Sequence, residues 1–127
     1  MSKSTDAYLF YGIPITKAPW DEKDYKYPEE CDYDDPALLI ELCQSDNPEV
    51  SDYPVKYDCC WAYDGTYGFI YTKRIEVDNA NFQPINDIVT KDNIIEEYLQ
   101  FISIKDLCGK TGIEFTNPQW YLTCSHG

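Results

Sequence analysis

The chain predicts an α+β fold: an antiparallel sheet of about four strands with one long helix packed on a face, plus a short helix and a long acidic loop. Three observations predict it. Alternation with a period of two recurs in well-separated runs, at residues 7–13, 55–63, 69–77 and 120–125. A sustained helical period occurs in one long stretch, over residues 94–107. The resulting order of strand, loop, helix, hairpin, helix and strand lacks the strict alternation of a parallel sheet and segregates its helices instead. At 127 residues the whole chain, 1–127, is read as a single α+β domain, long enough to bury a core without staples. Strand order does not follow from the sequence.

The first strand is "DAYLFYGIPI", rich in aromatic and aliphatic residues. Alternation puts Tyr8 and Phe10 on one face and Leu9, Tyr11 and Ile13 on the other, so both faces should be covered. Gly12 and Pro14 should then end regular pairing. A short helix follows at "DDPALLIELCQ", where Asp35 is a good N-cap, Pro36 suits the first helical position and Ala37 to Gln44 are mostly helix formers. "SDNPEVSDYP" supplies turn chemistry.

The hairpin comes next. Val55, Tyr57, Cys59, Trp61 and Tyr63 alternate with Lys56, Asp58, Cys60 and Ala62, and in the returning strand Phe69, Tyr71, Ile75 and Val77 share a face with Lys73. A two-residue loop at Asp64 and Gly65 would put the two aromatic faces on opposite sides of the sheet. A three-residue loop, Asp64 to Thr66, pairs Trp61 with Phe69, Cys59 with Tyr71 and Val55 with Ile75, and is the expected register.

After the polar connection "DNANFQPIND", the main helix places Ile94, Ile95, Tyr98, Leu99, Phe101, Ile102 and Leu107 at helical spacing. Asp92 is its candidate N-cap and Gly109 its stop. Glu96, Glu97, Gln100, Lys105 and Asp106 mark its wetter side. "NPQWYLTCSHG" ends the chain as a strand, with Trp120, Leu122 and Cys124 alternating against Tyr121, Thr123 and Ser125.

Charge narrows the function classes. Twenty-three acidic residues against ten basic ones give a formal charge of −13. Such a surface repels nucleic acid and anionic lipid, so direct binding to DNA, RNA or membrane is not expected. No apolar run reaches the roughly 18 residues of a membrane span. The first apolar stretch, Ala7 to Ile15, has no evident cleavage site, so the mature chain is expected to begin at or near Met1, in the cytoplasm. Cys31, Cys43, Cys59, Cys60, Cys108 and Cys124 form no CxxC pair and have a single histidine beside them. That spacing fits neither a zinc site nor a redox motif, and reduced thiols buried as small hydrophobes are expected.

The candidate site is the segment before the first helix, "DEKDYKYPEECDYDD". Asp21, Glu22, Asp24, Glu29, Glu30, Asp32 and Asp34 surround Tyr25, Tyr27 and Tyr33, and Trp20 adds a large anchor next to them. Carboxylates pair with lysine and arginine, and ring faces attract the same cations. The segment therefore reads as a docking face for a basic partner, imitation of nucleic-acid phosphates being one form of it; the plainer reading is a solvated loop. Neither "DEKD" nor "DYDD" has the glycine and glutamate of a calcium loop, and no metal or cofactor is expected.

No catalytic signature stands out. Cys59 and Cys60 point to opposite faces of a strand, and a Cys-His pair would need His126 next to the chain end. "GKTG" at Gly109 to Gly112 lacks the upstream glycine of a phosphate-binding loop and reads as a helix stop. Arg74, the only arginine, reads as an exposed edge charge. The chain is expected not to be an enzyme; carboxylates working in a cleft are the alternative, with no pair to nominate.

"DAYLFYGIPI" near the start, "CCW" entering the hairpin and "PQWYLTCSHG" at the end resemble the short acidic accessory proteins of tailed bacteriophages, mostly of unknown function. The resemblance implies an accessory role in an infected cell, where many such proteins disable host enzymes, including defence factors, by binding them. The long acidic helices of the DNA-mimicking kind are missing. The expectation is thus a non-catalytic protein-interaction module that binds and inhibits a basic surface of a host protein, one of defence or nucleic-acid handling, and is a monomer or small homo-oligomer. A virion or assembly component built on a subunit contact is the alternative.

Overall fold

Among the described residues, four antiparallel strands and two α-helices make an α+β fold. The computed structural model describes residues 5–31, 34–44, 48–62, 65–77 and 94–126. The candidate N-cap Asp92, the connection after Val77 and the hairpin tip at Tyr63 and Asp64 lie outside them. The strands are β1 (Thr5–Pro14), β2 (Lys56–Ala62), β3 (Gly65–Val77) and β4 (Gln119–His126), and the helices are α1 (Pro36–Leu42) and α2 (Ile94–Thr111). The sheet order is β2-β3-β1-β4.

β1 is one of the two inner strands, paired with β3 on one side and β4 on the other. Its pairing does not stop at Gly12. The ladder runs on through Ile13 and Pro14, with a bulge opposite Tyr11 and Gly12. There Gly12 meets β3 so closely that a Cβ would sit 1.9 Å from the Ile70 carbonyl oxygen. Only a residue without a side chain permits that approach.

The bulge gives β3 an extra residue at Thr72, and the alternation of β3 changes phase across it. Phe69 and Tyr71 pair with Pro14 and Gly12, whereas Lys73 and Ile75 pair with Tyr11 and Leu9. Phe69 and Ile75 therefore lie on opposite faces, contrary to the unbroken alternation read from the sequence.

The hairpin register also differs from the expected one. Ala62 pairs with Gly65, Trp61 with Thr66, Cys59 with Gly68 and Lys56 with Tyr71, which leaves a two-residue connection at Tyr63 and Asp64. The three-residue loop keeps the aromatic residues of both hairpin strands on one face, whereas in the structure both faces of the sheet carry an apolar cluster. Tyr11, Ile13 and Ile70 join Ile40 of α1, Val55, and Ile104, Leu107 and Cys108 of α2 in one cluster. Phe10, Cys60, Phe69 and Tyr71 form a second, with Tyr8 and Tyr121 against it.

The second cluster is buried by the sheet itself. β2 and β4 are its two edges, yet they come into contact, and the Thr123 hydroxyl lies 3.6 Å from the Cys60 thiol. The sheet thus coils around its own aromatic residues. Across its concave side Arg74 pairs with Asp58, and its guanidinium lies 5.3 Å from the Tyr8 ring centre and 5.2 Å from that of Tyr71. Arg74 is therefore a tie between β3 and β2 and not an exposed edge charge.

α1 starts as its sequence dictates: Asp35 Oδ1 accepts the Ala37 amide at 2.9 Å, with Pro36 at the first position. Leu39 and Ile40 are buried. Past its end, the Gln44 side chain donates to the Ile40 and Val55 carbonyls and accepts the Val55 amide. The side-chain amide pairs there with backbone that has no neighbouring strand.

α2 runs past Gly109 and stops at Gly112, whose φ of +87° takes the left-handed turn and whose amide donates to the Cys108 carbonyl at 2.9 Å. Its buried side is Gln100, Ser103, Ile104, Leu107 and Cys108, while Tyr98 is 60% exposed. Gln100, read as part of the wetter side, is 2% exposed and accepts the Thr72 hydroxyl at 2.7 Å. Ser103 donates to the Tyr53 carbonyl at 2.6 Å. The bulge supplies the Thr72 hydroxyl that makes a buried Gln100 tolerable.

Candidate functional site

The residues between β1 and α1 are built from short turns with defined anchors. Pro19–Asp21 forms a 3-10 turn, entered from buried Ala18, whose amide donates to Asp21 Oδ2 at 3.2 Å. The Tyr25 amide donates to Glu22 and the Cys31 amide to Pro28. Just before the turn, the Lys17 carbonyl accepts the Glu114 amide at 3.1 Å, which ties the segment to the chain beyond α2.

The predicted anchors divide into two groups. Trp20 is half-buried, packs on the first core cluster and meets the Tyr57 ring of β2 edge-on at 6.1 Å and 88°. One side of its indole is thus committed to the fold. Tyr25 and Tyr27 are half-exposed and meet each other edge-to-face at 5.0 Å. Tyr33 and Asp32 lie outside the described residues.

The carboxylates take the outside. Asp21, Glu22, Asp24, Glu29, Glu30 and Asp34 are all exposed. The ion pairs within the described residues, Arg74 with Asp58 and Lys110 with Asp106, use none of them. Their field is felt by the rings. Burial pushes the Tyr27 phenol up to about 12, helped by Tyr25, Asp34, Tyr57 and Asp35. Burial, then Cys43 and Cys31, raise that of Tyr25. Burial, then Cys59, Asp35, Asp58 and Asp21, raise that of Tyr57. These phenols stay protonated at neutral pH.

Tyr57 belongs to this site through its contact with Trp20, although alternation alone places it only on a strand face. Ile15, Trp20, Asp21, Tyr57, Tyr67 and Gly68 line one recess of about 240 Å³. A larger cleft of about 460 Å³ between α1 and β2 is lined by Ile40, Gln44, Val55, Tyr57 and Tyr71 among others, with Glu41 and Lys56 as its charged members. Two converging carboxylates are absent from both linings.

Cys60 and Cys108 are buried, and Cys31, Cys43 and Cys59 are partly so. Burial alone pushes the Cys108 thiol up to about 11. Among the described residues no group of three or more His, Cys, Asp or Glu side chains is arranged to hold a metal ion, and no helix is long and apolar enough to cross a membrane. No protein-family model, curated protein or solved structure matches the chain.

Proposed function

We propose that the chain is a non-catalytic interaction module of a phage kind, acting in the host cytoplasm, whose acidic segment docks on a basic surface of a host protein and inhibits it. The observation that carries this reading is the arrangement around Tyr25 and Tyr27. Two half-exposed rings held against each other sit in a segment of exposed carboxylates that spend no charge on ion pairs with other described residues. Aromatic anchors of this type supply most of the energy of an interface, and surrounding charges orient and speed the encounter. A formal charge of −13 adds long-range attraction for a cationic partner.

The test is co-purification from host cells with the parent chain and a five-amide variant, Glu22→Gln, Asp24→Asn, Glu29→Gln, Glu30→Gln and Asp34→Asn. Asp21 is left intact because its carboxylate holds the Ala18 amide. A basic protein retained by the parent and lost by the variant supports docking. Equal capture by both overturns it.

A second reading, self-association as an assembly component, is favoured by Leu122 of β4. It is 78% exposed and lies in one cross-strand row with Leu9 and Ile75. Light scattering of the parent and of Leu122→Glu separates the two: a dimer dissociated by the substitution supports self-association, and a monomer in both removes it.

A further inference from the structure

We propose that the concave side of the coiled sheet binds a small free aromatic molecule, neutral and bearing one N–H or O–H donor. The recess that holds it lies on the sheet face away from Trp20 and Tyr57 and needs no host protein.

The strand register assembles it. Cys60 pairs with Tyr67, Pro14 with Phe69 and Phe10 with Tyr121, which turns these six side chains to the concave side, where Phe10, Cys60 and Phe69 are buried. Thr123, two residues beyond Tyr121 on β4, shares that face. Together with Gly68 and Leu122 these residues line a recess of about 290 Å³, to which all four strands contribute. Its floor is the buried group, and its rim carries the exposed Tyr67 and Leu122, so the recess opens to solvent.

Charge, ring geometry and one hydroxyl select the ligand class. The chain has a formal charge of −13, yet none of the described residues lining the recess is charged. An ion would lose hydration there and meet no counter-charge, so the ligand is neutral. Phe69 and Tyr121 lie 21° and 22° from parallel with Phe10. Rings so aligned favour a flat aromatic ligand, offset-stacked or edge-on, over an aliphatic one of equal area. The Thr123 hydroxyl donates to the Cys60 sulfur at 3.6 Å, which leaves its lone pairs to accept a bond from the ligand. One N–H or O–H on the ring fills that place. The volume lies at the lower end of the roughly 300–1,000 Å³ of small-molecule sites and suits one or two fused rings, with no peptide backbone to accommodate. Indole and phenol compounds have this chemistry.

The experiment titrates the folded full chain with indole, 1-methylindole, the anion indole-3-acetate and N-acetyltryptophanamide. The readout is the backbone amide resonances of Gly68, Phe69 and Tyr121 to Thr123. Indole should give saturable shifts centred on them and should outbind 1-methylindole, which lacks the donor, by roughly 5-fold, as one hydrogen bond implies. Thr123→Val keeps the shape, removes the acceptor and should erase that preference. Tyr67→Ala, at an exposed ring, should weaken indole by roughly 5-fold, as the loss of one aromatic contact implies. The anion should give no saturable shift. The five-amide variant should bind indole as the parent does even where docking is lost, so the two readings fail separately. Shifts that do not saturate, centre elsewhere or ignore Tyr67→Ala overturn the site. A preference for indole that survives Thr123→Val overturns the assigned acceptor, and equal binding of the anion overturns a neutral ligand. Tighter binding of N-acetyltryptophanamide than of indole gives the recess to a protein side chain, and indole binding that weakens as the chain dimerises with concentration gives it to a second copy; either result overturns a free ligand.

Discussion

The Phe10 ring on β1 lies almost flat against the Phe69 ring on β3, with centroids 4.2 Å apart and planes 21° from parallel, although the ladder sets Phe10 opposite Arg74 and Phe69 opposite Pro14. Residues so far apart in register touch only where a coiled sheet brings one diagonal together on its concave side. Tyr121 of β4 extends the contact, stacked on Phe10 at 5.4 Å. The same coiling presses β1 onto β3 at the bulge, where Gly12 faces the Ile70 carbonyl.

Gly12→Ala therefore tests the coil. Its Cβ would meet backbone, which cannot turn aside as a side chain can, and the strands would have to separate. The expected cost is about 3 kcal/mol or more, a large part of the roughly 5–15 kcal/mol that holds a domain. Guanidinium unfolding of parent and variant measures it. A midpoint within error of the parent's would contradict the close approach.

Gln100 and Thr72 should behave as a coupled pair. Gln100→Leu leaves the Thr72 hydroxyl without its acceptor beside a buried helix face and should cost about 1–3 kcal/mol. Thr72→Val in the same chain removes the stranded donor and should return part of that loss. A double-mutant cycle by urea unfolding reads the coupling. Strictly additive effects would contradict the bond.

Alkaline pH should weaken the fold in a defined order. The Cys108 thiol moves from 9.0 to about 11 on folding and the Tyr27 phenol from 10.0 to about 12. Both folded values are raised, so the folded state keeps protons that the unfolded chain gives up. Their contribution is complete below the unfolded value and is lost as pH rises towards the folded one, from about 9 to 11 for Cys108 and from 10 to 12 for Tyr27. Stability measured at pH 8 and pH 10.5 should fall in the parent. It should fall less in Cys108→Ala, whatever that variant loses at pH 8 to its cavity. Equal falls would contradict the assignment to Cys108.

Much of this was legible in the sequence because it is local. Asp35 and Pro36 announced α1, the aromatic runs announced the strands, and the acids around Tyr25 and Tyr27 showed themselves as a charged surface. What the sequence hid depends on pieces far apart. The hairpin register turned on whether one sheet face or two would be buried, and coiling of the sheet decides that. The phase change of β3 arises from a bulge whose mark is Gly12, on the other strand. Gln100 looked wet until Thr72 supplied its donor. Trp20 was recognised as an anchor, but its ring partner Tyr57 comes from a strand more than thirty residues on.

The central claim is that the carboxylates around Tyr25 and Tyr27 face outward to attract cations on another molecule. Its most direct measurement is the association rate with the co-purified host protein at roughly 50 and 200 mM salt, for the parent and the five-amide variant. Steering predicts a rate for the parent that falls by about 10-fold or more with salt, and a slower, nearly salt-independent rate for the variant. A parent rate unchanged by salt and equal to the variant's would contradict it.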